Sequence, residues 1–143
     1  MTMNESAKFN CSDVSSNDVA LNSVQRRQFV LLEHDHPFLH WDFLIEDGAG
    51  LASWRLHEMP RGGKLIPATA LTVHRRHYLT WEGPVSGDRG HVSRLFSGFL
   101  ELRGQWPDVS AWPGVTLRML DCSLAEQCRL MRNQDETLYW EFV

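Results

Sequence analysis

The chain has 143 residues, 43% of them hydrophobic and 22% charged, with a formal net charge of −4, enough for one globular domain but with no global positive field to draw in nucleic acid. No apolar run reaches the length a bilayer requires, and three cysteines (Cys11, Cys122, Cys128) neither pair completely nor carry zinc-finger spacing. Membrane spans, a secretory leader and a disulfide scaffold are therefore not expected, and a reduced, cytoplasmic setting is.

Residues 1–24 are rich in Ser, Asn and Asp, with Phe9 the one aromatic. Such a stretch buries too little apolar surface to offset its ordering entropy, so it reads as a disordered leader, with the folded domain beginning near Arg26. From there short runs of β-formers alternate with Gly, Pro and polar clusters. Residues 28–34 (QFVLLEH) and 40–46 (HWDFLIE) are the first two candidate strands. The second puts Trp41, Phe43 and Ile45 on one face and His40, Asp42 and Leu44 on the other. The EDGAG turn at 46–50 feeds 51–56 as a hairpin. Further candidates are 68–74, 77–81, 95–102, 116–121, 129–132 and 138–143. The Ser123-Leu-Ala-Glu126 run is a capping-box pattern, and 123–131 reads equally as a short helix. Many short strands without crossover helices leave an antiparallel barrel or a sandwich.

Charge is unevenly spread. Residues 55–94 hold seven cations against three anions, whereas residues 95–143 hold four against seven. There is room for one basic patch on an acidic protein, and equally for ordinary surface variation.

The seven histidines cluster, with His34, His36 and His40 close to Asp35 and Asp42. Side chains at i and i+2 of a strand share a face, so His40 and Asp42 point the same way. If residues 35–38 fold back, His34 faces them. Two imidazoles and one carboxylate leave coordination positions open, the composition of a catalytic metal site suited to Zn²⁺, Mn²⁺ or Fe²⁺. The other reading is a solvated turn, with His36 a plain loop residue. A second cluster runs from His74 to Tyr78 (HRRHY). In a strand His74, Arg76 and Tyr78 share one face, which suits a phosphate, or a charged edge strand.

The run 29–54, with His34, Leu39-His40-Trp41-Asp42-Phe43, Glu46, Gly50-Leu51 and Ser53-Trp54, resembles the 3′-phosphoesterase domain of bacterial DNA ligase D. That family reads roughly F-V-x-Q-x-H, L-H-Y-D-F-R-L-E and G-V-L-x-S-W. Residues 74–83 (HRRHYLTWEG) match its H-P-L-x-Y-x-x-F-E-G strand without a gap, and 103–106 (RGQW) resemble its R-G-x-W. The resemblance covers about residues 28–106. It implies a mainly β fold over 25–143: a small closed or partly closed antiparallel β-barrel with short helical turns and a shallow site on one side. It implies that His34, His40 and Asp42 hold a divalent metal, manganese above all and zinc as a lesser fit. His74 and Tyr78 would act catalytically on the scissile phosphate, with Arg76 beside them as a phosphate-binding candidate. The implied reaction trims 3′ ends of DNA or RNA–DNA primers in repair. Polymerase and ligase partners would be separate chains, and no membrane is involved.

Three positions depart from the family. Its arginine two residues past the metal-binding aspartate is Leu44, its glutamine two before the first metal histidine is Leu32, and a loop lysine falls at Glu58. The alternative is therefore a catalytically impaired metal-containing module that binds nucleic-acid ends or a protein. A metal-binding small-molecule enzyme is a third reading. Trp106 and Trp112 are candidates for base stacking or for plain packing.

Overall fold

A computed structural model of the chain describes residues 23–143. The leader expected over residues 1–24 lies, up to residue 22, outside the described residues. Nine strands follow in order: β1 (Val24–His34), β2 (His40–Asp47), β3 (Gly50–Leu56), β4 (Lys64–Arg75), β5 (Gly83–Pro84), β6 (His91–Arg103), β7 (Thr116–Leu120), β8 (Gln127–Arg132) and β9 (Leu138–Phe142). They form one sheet in the order β1-β2-β3-β4-β9-β8-β7-β6, which the β6–β1 pairing closes into an eight-stranded antiparallel barrel; β5 adds to β6 outside the ring. The expected mainly β barrel is what the chain forms. Among the described residues the helical elements are 3₁₀ turns, and no helix is long and apolar enough to cross a membrane.

Two expectations fail. Residues 77–81 are not a strand: the chain leaves β4 at Arg75 and winds into a 3₁₀ turn over Arg76–Leu79. The turn drops Leu79 onto an apolar cluster, where it is buried, and packing outweighs the β propensity of the segment. Residues 123–131 are not a helix either. Gln127–Arg132 pairs with β7 on one side and β9 on the other, so two ladders outweigh one capping box, and the Glu126 N–H donates to the Val143 carbonyl instead.

The β2–β3 hairpin closes through Gly48 and Ala49, with Asp47 opposite Gly50. Gly48 sits at φ +65°, where a side chain is strained, and it is the first central residue of the loop. Strand alternation then sorts side chains into two layers. Phe29, Phe43, Trp54, Trp112, Trp140 and Phe142 pack ring against ring inside, with Phe43 and Trp140 centroids 4.7 Å apart. Val30, Leu32, Leu44 and Leu51 face the other way, and Leu79, Val85 and Val92 cover them, with Tyr78 and Trp81 at the margin. The segment 76–92 is thus a cap on the outer face of β1–β3.

The described residues divide into a large unit, Arg26–Glu101 with Pro107–Val143, and a small one in which Leu102–Trp106 joins residues 23–25. In the small unit the Gly104 N–H donates to the Ser23 carbonyl (2.8 Å) and the Trp106 indole to Gln25 O (3.2 Å).

Candidate metal centre

His34 closes β1 and His40 opens β2. The register sets them opposite each other, with Leu32 opposite Asp42. Residues 35–39 fold back as expected, with a cis His36–Pro37 peptide. The His34 and His40 ring centroids lie 4.9 Å apart, and one ligand atom from each of His34, His40 and Asp42 falls within 4.8 Å of the others. His40 and Asp42 are 3% and 4% exposed, so their polar atoms cannot rely on bulk water.

Hydrogen bonding sets which ring nitrogens are free. His40 Nδ1 lies 2.9 Å from the Phe38 carbonyl, and His34 Nε2 lies 2.8 Å from that of Arg89. A carbonyl only accepts, so both nitrogens carry the hydrogen, and the lone pairs sit on His34 Nδ1 and His40 Nε2. This is how ligating histidines are ordinarily oriented from behind. Asp42 Oδ2 is 3.5 Å from His40 Nε2, while its buried Oδ1 has no hydrogen-bond partner. A carboxylate oxygen left orphaned beside two imidazole lone pairs is an unfavourable arrangement for the protein alone and a favourable one for a cation. The three residues can hold a metal ion, and the donor set fits. His36 stands apart, its ring 6.5 Å from that of His34.

The centre opens on a cavity of about 380 Å³. Its floor is apolar, formed by Leu32, Val85 and Val92, and its rim carries His74, Tyr78, Arg75 and Arg89 beside His34 and Asp42. His74 and Tyr78 are brought together, ring centroids 5.9 Å apart, by the 3₁₀ turn and not by strand alternation. The His74 Nδ1–H points to the Thr72 carbonyl (3.1 Å), which leaves Nε2 free. Arg76 is not part of the wall: its guanidinium pairs with Glu46 on β2. Burial raises Glu46, but the Gln28 amide and the Arg76 guanidinium more than offset this and hold its carboxyl below the usual glutamate range.

The sequence patterns do not single out Arg89, whereas Arg75 belongs to the 74–78 run. The Arg75 guanidinium lies over the Tyr78 ring, 5.9 Å from its centroid. Arg89 comes from the Gly87-Asp88-Arg89-Gly90 loop, whose crowd of glycines marks a tight turn but not a wall residue. That loop is tied to the metal side: the His91 N–H donates to Asp35 Oδ1 (2.7 Å), which lowers the Asp35 carboxyl, and the Asp35 N–H donates to His91 O (3.3 Å).

Leu44 is fully buried and Leu32 nearly so, both in the apolar layer under the cap, so neither position offers a donor to the cavity. Glu58 forms an ion pair with Lys64. Trp112 is buried against Trp54 (5.5 Å) and Trp106 is buried in the small unit, so both pack. Neither a scan against protein-family models nor a search of curated proteins gives a match for this chain.

Proposed function

We propose that this chain is a metal-dependent phosphoesterase that processes 3′ ends of DNA or RNA–DNA primers, with manganese as its ion and zinc as the other metal the donor set suits. The observation that carries the reading is the convergence of His34, His40 and Asp42 beside a cavity that His34 and Asp42 line together with His74 and Tyr78. The resemblance to the ligase D phosphoesterase domain supports the same residues position by position.

His34 Nδ1, His40 Nε2 and the Asp42 carboxylate would hold the ion. When bound, it serves as a Lewis acid on a phosphoryl oxygen. The Tyr78 hydroxyl donates to a non-bridging oxygen. His74, anchored at Nδ1, holds a proton at Nε2 for the departing 3′-oxygen. Water is the nucleophile, and a 3′-phosphate end yields a 3′-hydroxyl and inorganic phosphate.

The deciding experiment is phosphate release from a primer–template bearing a 3′-phosphate, with and without Mn²⁺, beside Asp42→Ala. Release that needs Mn²⁺ and disappears in the variant supports the reading. Absence of release with metal bound stoichiometrically overturns it. The burial of Leu44 and Leu32 favours a second reading, in which the metal site survives in a module that binds nucleic-acid ends or a protein without turnover. That module would show salt-sensitive DNA affinity and no product.

A further inference from the structure

We propose that Arg89, assisted by Arg75, is the anion-binding fork of this cavity and selects a terminal phosphate dianion over a phosphodiester; the proposal rests on the phosphoesterase reading and narrows its substrate. The charge that a phosphate needs cannot come from the floor, because Leu32, Val85 and Val92 form it. Nor can it come from most cations nearby. Arg76 is held by Glu46, Arg94 by Glu82 (3.9 Å), Arg27 by Asp47 (3.2 Å) and Lys64 by Glu58. Among the described residues, Arg75 and Arg89 have no carboxylate partner, and both belong to the cavity wall.

Arg89 is held in place before any ligand arrives. Its Nε–H donates to the Ser86 carbonyl (2.6 Å) and an Nη2–H to Ser86 Oγ (3.0 Å). A guanidinium has five N–H groups, so three remain for phosphate oxygens. The loop itself is closed by the Val85 N–H to Gly90 O bond (2.8 Å) and by the paired Asp35 and His91 bonds. A donor fixed this way loses little freedom on binding.

The same residue also serves the metal side. The Arg89 carbonyl accepts from His34 Nε2, so one residue sets both the tautomer of a metal ligand and the place of a phosphate donor. Backbone and side chain can be separated by mutation. Two guanidinium cations match two negative charges, which a terminal monoester carries near neutral pH and a diester does not.

The test is calorimetric titration of inorganic phosphate, and separately of dimethyl phosphate, into Mn²⁺-loaded and metal-free protein at pH 7.5. Wild type should bind phosphate at least about tenfold tighter than dimethyl phosphate. Arg89→Ala should weaken phosphate about ten- to a hundredfold, the range for a charged hydrogen-bond fork. Its Mn²⁺ affinity, titrated with the metal alone, should stay within about twofold, because the carbonyl remains. Arg89→Lys should recover only part of the loss. Unchanged phosphate affinity in Arg89→Ala, equal binding of the two anions, or an equal loss of Mn²⁺ and phosphate would each overturn the proposal. Wild type that binds phosphate through Arg89 yet releases none from a 3′-phosphate end would sink the phosphoesterase reading and leave this one standing. Turnover that is indifferent to Arg89 would do the reverse.

Discussion

Asp42 on β2 and Arg55 on β3 are cross-strand partners, yet a buried atom of each, Asp42 Oδ1 and Arg55 Nε, is left without a hydrogen bond. The guanidinium turns instead to the Phe38 ring, 5.3 Å from its centroid, and the carboxylate turns to the two histidines. A charge set aside in this way destabilises the metal-free protein and is compensated by a cation. Asp42→Asn should therefore leave the metal-free melting temperature unchanged or raise it, and should abolish the rise produced by Mn²⁺. At a hundredfold excess over Kd, ligand linkage gives about 2.7 kcal/mol, on the order of 8 °C for a domain of this size. Thermal melts with and without Mn²⁺ check both halves.

Leu44 stands where the ligase D phosphoesterase domain that the sequence resembles has an arginine, and placing an arginine there should not raise activity. Leu44 is fully buried among Val30, Leu32 and Leu79. Leu44→Arg should lose about 3 kcal/mol or more in urea unfolding, because a longer charged side chain is forced into a closely packed apolar layer, with no gain in turnover.

Gly90 faces the Asp35 carboxylate and His36, at φ +78°, and a β-carbon there would run into both. Gly90→Ala should push the Arg89 loop outward and deprive His34 of its carbonyl partner. Mn²⁺ affinity should fall by about tenfold or more, as when a group orienting a metal ligand is lost, while the barrel's far-UV circular dichroism is unchanged. Isothermal titration with Mn²⁺ reads the effect.

Glu46 links the Gln28 amide to Arg76 and so ties β1, β2 and the 3₁₀ turn together. Its folded value lies below the ordinary 4.5, so its contribution is complete above pH 4.5 and is lost as pH falls through the lowered folded value. Glu46→Gln should be less stable than wild type at neutral pH and should lose less on acidification. Urea midpoints between pH 7 and 3 would show the two curves converging.

The barrel strands were legible because their pattern and their environment agree. In β2 the alternation of His40, Asp42 and Leu44 against Phe43 and Ile45 survives intact, and it sets His40 and Asp42 on one face, where His34 from β1 meets them. What was not legible depends on contacts distant in sequence. The turn at Arg76–Leu79 exists because Leu79 has a cluster to cover, and the loss of Arg76 from the cavity follows from Glu46, which lies 30 residues earlier. Arg89 reaches the site because Asp35 and His91 bind each other 56 residues apart, which no local pattern around Gly87 and Gly90 encodes.

Strand β1 has four consecutive buried residues, Phe29, Val30, Leu31 and Leu32, two turned to the aromatic interior and two to the layer under the cap. One strand is therefore a partition between two separately packed rooms. Substitutions at even positions are felt by the cavity floor, and those at odd positions by the fold. The pocket side of this strand can therefore be substituted without touching the ring stack inside the barrel.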